Sequence, residues 1–262
     1  MNYWNTLIKQ YKTYIKIERG LAVNTIENYQ RDLTKLIQYL QNSNDQTRPE
    51  TITAAEIKDF IYHTSKTISP RSQARLISSL RGFFDYLIFE EYRKDNPTDF
   101  IESPNIGRKL PDTISKEEVD ALLNAIDLSH PQGERNKIIL ETIYSCGLRV
   151  SETINLQLSD LFFKEGYIQV LGKGNKYRVV PIHKTTIQQL EFYIHEIRSK
   201  IDAKPEDSDI VFLNRRGKRL TRQMIFIILK KFSYQNKFKK EYWTTYFKTF
   251  FCHLSTKKRS RS

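Results

Sequence analysis

Two stretches decide how this chain is read: YSCGLRVSETINLQLSDL (residues 144–161) and IQVLGKGNKYRVVPI (168–182). Each carries one cation in a special setting. Arg149 follows a Gly-Leu pair, and Lys173 sits between Gly172 and Gly174, 24 positions further on. An arginine that follows a helix-capping glycine, at the start of a short helix, presents a planar fork suited to an oxyanion. The plainer alternative is a surface ion pair with Glu152, one turn on. Lys173 has the same two faces. It is either the solvated tip of a hairpin or a mobile ammonium able to protonate a leaving oxygen, with glycines that let the backbone approach a phosphate.

Working outward, the flanks predict a mixed domain. Ser115 and Glu118 form a capping box ahead of Val119, Leu122, Leu123 and Ile126. A second apolar period, Ile138, Ile139, Thr142 and Ile143, runs into Gly147, a candidate helix C-cap. A short helix is expected over about Val150–Leu156. Tyr167–Leu171 and Tyr177–Ile182 alternate as strands joined by Gly172–Lys176, a turn rich in residues that tolerate positive φ. Ile210–Leu213 reads as a third strand before the turn Asn214–Gly217, and Thr221–Lys231 as an apolar helix.

Residues 1–102 read as four helices that close a small bundle. The first runs from about Tyr3 to Glu18. Asn24 with Glu27, Thr53 with Glu56, and Ser69-Pro70 supply three start signals. Behind the last of these, Leu76, Ile77, Leu80, Phe83, Phe84 and Leu87 form one apolar face. Asn96-Pro97 ends that helix, and residues 103–111, with two prolines, a glycine and two cations, are the linker. Residues 112–231 then form the second domain, and residues 232–262 a basic, aromatic-rich tail without cap or period. The fold expected is mainly α, with a small antiparallel β-sheet: an N-terminal helical bundle followed by a mixed α/β domain.

The net charge of +13 suggests a polyanionic partner. Its distribution weakens that inference. Ten Lys/Arg and one acid lie between residues 230 and 262, leaving 33 basic against 29 acidic residues before them. With only Cys146 and Cys252, the chain has no disulfide framework, which suits a reducing cytoplasm. It has no run of 18 apolar residues and no secretory h-region, so no membrane span is expected. The five histidines show no metal-ligand spacing, and neither a P-loop nor a G-x-S-x-G elbow is present. Any chemistry here is expected to be metal-free, cofactor-free and driven by cations.

At this point the chain resembles a known family. CGLRVSETINLQLSDL (146–161) is similar to the first conserved box of the tyrosine recombinase, or phage integrase, family, especially its Xer-like bacterial members. VLGKGNKYRVVPI (170–182) resembles that family's catalytic-lysine hairpin. ERGLAVNTIENYQRDL (18–33) and residues 69–91 resemble its core-binding helices. Residues 96–123 resemble the linker and the entry to its catalytic domain, and FLNRRGKRLTRQ (212–223) the segment before its second box. The resemblance covers about residues 5–231. It implies cleavage and rejoining of double-stranded DNA through a 3′-phosphotyrosyl link, by a tetramer acting on two duplexes, with no metal or nucleotide. Arg149 would bind the non-bridging phosphate oxygens, and Lys173 would protonate the leaving 5′ oxygen.

The pattern breaks after Gln223. The family's second box reads H-x-L-R-H, and no H-x-x-R follows Gln223 here. Tyr234, Tyr242 and Tyr246 do not stand in the context of the nucleophile, so no residue is assigned that role. Read one base later at each codon, WTTYFKTFFCH (243–253) is compatible with P-H-[T/I]-L-R-H-[S/F]-F-A at nine consecutive steps. The expectation is therefore a frameshift between about codons 230 and 243, leaving a chain that cannot cleave DNA. The alternative to the frameshift is a genuine, divergent basic tail that contacts phosphates. The alternative functions are a non-enzymatic DNA-binding remnant that still uses the first domain, and a helical interaction protein with no DNA role.

Overall fold

The computed structural model describes residues 2–42, 47–107, 115–172 and 174–235. The chain divides into two compact units, Met1–Arg108 and Lys109–Ser262. Unit 1 is built from α1 (Asn2–Ile17), α2 (Val23–Asn42), α3 (Ala54–Ser65) and α4 (Pro70–Phe89). Two of the three start signals work as read. Thr53 and Glu56 close a reciprocal capping box on α3, and Ser69 accepts the Ser72 N–H with Pro70 in the first turn of α4. Asn24 is not the cap of α2. The Ala22 carbonyl takes the N–H groups of Thr25 and Ile26, and the helix starts at Val23.

The four helices bury one continuous core. Leu33, Leu36, Ile57, Leu76, Ile77, Leu80, Phe83, Phe84 and Leu87 are fully enclosed. Phe83 is its hub: its ring stacks on Trp4 at 6.0 Å and meets Tyr11 edge-on at 5.5 Å and Phe84 at 5.5 Å. After α4, the Arg93 guanidinium donates to the Pro49, Ile52 and Asp95 carbonyls, tying the chain back to the approach to α3. Phe83→Ala is expected to cost unit 1 about 3–5 kcal/mol, because three rings lose their common partner. A urea midpoint unchanged from wild type would contradict this.

Unit 2 contains α5 (Lys116–Asn124), α6 (Gly133–Cys146), α7 (Val150–Ile154), a three-stranded antiparallel sheet, α8 (Lys184–Phe192) and α9 (Arg222–Gln235). The sheet order is β1 (Leu161–Phe162), β2 (Tyr167–Leu171) and β3 (Tyr177–Pro181). The expected β2–β3 hairpin is present, with Ile168 opposite Val180 and Val170 opposite Arg178. Its turn uses positive φ at Gly174 and Asn175.

The third strand is not where the sequence pattern put it. Ile210–Leu213 is a wholly buried apolar run that makes only isolated bridges, to Gln157 and Arg219. Its carbonyls are taken by side chains instead, Ile210 by Arg198 and Leu213 by Arg135. A short apolar run reports burial, not pairing. The actual third strand is the two-residue β1, too short to show an alternating pattern.

The helix expected over 221–231 runs on to Gln235, and Phe232 is seated in the unit 2 core with Ile225, Ile228 and Leu229. Residues 236–262, most of the expected tail, lie outside the described residues, as do 108–114 in and beside the expected linker. Among the described residues, no helix is long and apolar enough to cross a membrane.

Candidate active site

The site forms where α6 ends, α7 begins and the hairpin folds back. Gly147 closes α6 with φ 61°, a left-handed conformation that costs other residues more, and the Leu148 N–H returns to the Ile143 carbonyl. Leu148 is fully buried. That anchor puts Arg149 at the N-cap of α7 in an extended conformation, with its side chain 61% exposed.

Glu152 lies three residues on, its side chain only 4% exposed. Its carboxylate accepts four hydrogen bonds. Arg149 gives two, from its backbone N–H at 2.7 Å and from Nη1 at 2.7 Å. Arg178 gives the others, Nη1 to Oε1 at 2.7 Å and Nη2 to Oε2 at 2.8 Å. All the acceptor capacity of a carboxylate is used. Burial alone would raise the Glu152 pKa, but the Arg178 and Arg149 hydrogen bonds outweigh it and hold the group at about 2.

The hairpin register explains Arg178. Side chains alternate across a strand, and Arg178 shares the inner face with Val180, Val170 and Ile168. A cation at an inward position needs a carboxylate, and Glu152 is that carboxylate. The plain pairing of Arg149 with Glu152 is therefore present, and it does not exclude a chemical role. Arg149 and Glu152 alone would sum to zero charge. Arg178 makes the cluster +1, so Arg149 keeps both an exposed fork and a net attraction for an anion. Sequence reading missed Arg178: its even spacing from Val180 puts the two on one face, but not which face turns inward.

Lys173 lies outside the described residues. Its neighbour Gly172 closes the hairpin, donating to the Lys176 carbonyl at 2.9 Å. A Cβ added at Gly172 would stand 3.3 Å from Arg178 Nη1 and 3.9 Å from Glu152 Oε1. The base of the turn that carries Lys173 thus sits against the same ionic cluster that holds Arg149. Among the described residues, no group of three His, Cys, Asp or Glu side chains could hold a metal ion.

Residues 112–248 match the phage integrase family, and residues 8–91 match the phage integrase N-terminal SAM-like domain. The chain belongs to the phage integrase family of tyrosine recombinases and is XerD-like. It is 40% identical over 227 residues to the tyrosine recombinase XerD of Listeria innocua, covering 86% of this chain and 76% of that protein. To the XerD of Oceanobacillus iheyensis it is 41% identical over 224 residues, covering 85% and 75%. Among solved structures it shares its fold with XerH site-specific recombinase bound to a palindromic difH substrate in a post-cleavage complex. There the TM-score is 0.72 at 21% identity, over 97% of this chain and 74% of that one. It also resembles a lambda integrase tetramer bound to a Holliday junction, with TM-score 0.69 at 16% identity over 90% and 66%.

Proposed function

We propose that this chain carries half of a site for cutting and rejoining duplex DNA through a 3′-phosphotyrosyl link. In this reading Arg149 binds the non-bridging oxygens of one phosphate, and Lys173 protonates the leaving 5′ oxygen. The observation that carries it is the Glu152 bridge, which fastens Arg149 and the Lys173 hairpin to one carboxylate while leaving the Arg149 fork open. Glu152 and Arg178 position the clamp and set its charge. A tetramer of this chain acting on two duplexes belongs to the same proposal.

The family match extends to residue 248, yet the sequence holds no H-x-x-R after Gln223. We attribute that to a one-base shift. The shift lies, on this reading, between about codons 230 and 243. The chain then makes no covalent link to DNA, and unit 2 is marginally stable. Two measurements test it. A nicked duplex that traps the covalent intermediate should give no protein–DNA band, and a band would sink the proposal. The nucleotide sequence through codon 243 should contain an insertion or deletion that restores H-x-L-R-H.

A second reading, a DNA-binding remnant without catalysis, is testable on unit 1, which closes a core of its own. Residues 1–105 alone should then bind duplex DNA, with affinity falling steeply as salt rises. A folded fragment that binds no duplex at low salt would point instead to a helical interaction protein.

A further inference from the structure

Unit 2 has a second cationic site, at the other end of α6. A cavity of about 780 Å³ opens there, lined by Arg135, Lys200, Lys204, Arg215 and Arg216. Its lining also holds His130 and two carboxylates, Glu196 and Asp202, and the former lies 3.7 Å from Lys200 Nζ. The fully charged groups therefore sum to +3. The 14 residues of α6 span about 20 Å, so a phosphate held by Arg149 cannot also sit here.

Arg135 is the independent sign of a ligand. Its side chain is enclosed, with the residue only 3% exposed. Nη1 donates to the Leu213 carbonyl at 3.1 Å, and Nη2 to Gln132 Oε1 and Asn136 Oδ1, both at 2.9 Å. None of these acceptors is charged. A buried guanidinium is ordinarily paired with a carboxylate. Here the charge is held by neutral groups at the edge of an open cavity, so its field is left for whatever enters.

The other walls are built, not incidental. Gly217 has φ +71°, and a Cβ there would fall 1.8 Å from the Asp202 carbonyl oxygen. That close approach, with the Lys204 N–H bonded to the Gly217 carbonyl at 2.9 Å, presses the Asn214–Gly217 turn onto the Asp202–Lys204 segment. Asn214 Oδ1 accepts the Arg216 and Lys218 N–H groups and fixes the turn that presents Arg215 and Arg216. On the opposite side, α8 continues through a wide π turn at Tyr193–Ile197, a distortion often retained at functional sites.

We propose that this cavity binds an anion of the phosphate class, at a site separate from the Arg149 cluster and independent of the strand-cleavage reading. Its volume lies within the roughly 300–1,000 Å³ of small-ligand pockets. The phosphate comes either from a duplex backbone or from a free phosphorylated small molecule. Calorimetric titration of the full chain with inorganic pyrophosphate at low salt tests the site. The double variants Arg215→Ala/Arg216→Ala and Lys200→Gln/Lys204→Gln, all at exposed positions, should each bind at least tenfold more weakly. A control that removes two unit 1 charges, Lys12→Ala/Lys16→Ala, should bind as wild type does. Undiminished binding in both cavity variants, equal loss in the control, or no pyrophosphate binding by wild type would each overturn the proposal. A duplex titration separates the sources. If DNA supplies the phosphate, the cavity variants lose about 1–2 from the salt-dependence slope. If a small molecule does, duplex affinity stays constant while pyrophosphate binding falls.

Discussion

Glu152→Gln is expected to lower the stability of unit 2 by about 2 kcal/mol at pH 7, and by much less at pH 3. The carboxylate is held at about 2 in the fold against 4.5 as its ordinary value. A group whose pKa is depressed on folding contributes stability that is fully present above its unfolded pKa. That contribution drains away as pH falls toward the folded value, here between about 4.5 and 2. A shift of this size corresponds to an upper bound of about 3 kcal/mol. Solvent at the partly exposed Arg149 and Arg178 side chains reduces it to about 2. Glutamine keeps the shape but replaces one acceptor by a donor that faces a guanidinium, so the loss includes an unmade hydrogen bond. Denaturant unfolding of wild type and variant at pH 7, 5 and 3 reads it. A gap that stays constant with pH would show that the carboxylate's charge contributes nothing.

The same cluster shows what a sequence can and cannot disclose. Local signals were legible: the capping boxes at Thr53 and Ser115, the Gly147 cap and the β2–β3 hairpin are written in residues adjacent along the chain. Arg149 was legible for the same reason, since its glycine cap and its position at a helix start are local. Arg178 was not, because its importance depends on a partner 26 residues away and on which face of the hairpin turns inward. Arg135 escaped entirely. On α6 it reads as one more surface cation, and only the fold shows it enclosed among neutral acceptors. The misplaced third strand has a related cause. Ile210–Leu213 is apolar because it is buried, and whether such a run pairs as a strand depends on neighbours that the local pattern does not report.

If the proposed one-base shift between about codons 230 and 243 is present, correcting it is expected to turn a chain that gives no covalent protein–DNA band on a nicked duplex into one that does. Within that restored chain, Arg149→Lys should cut the rate of band formation by about 10²–10³. A lysine supplies the charge but not the planar fork, and it cannot accept the geometry that Glu152 imposes through both the backbone and Nη1 of residue 149. On the proposed reading, the unrestored chain should give no band with either residue. These outcomes separate the parts of the reading. A band from the unrestored chain would mean that one of its own tyrosines is the nucleophile. A folded, restored chain that still gives none would mean that the apparent box in the shifted phase is coincidence. If Arg149→Lys leaves the restored rate unchanged, Arg149 is the surface ion pair of the plain reading, and the exposed fork over Glu152 has no part in cleavage.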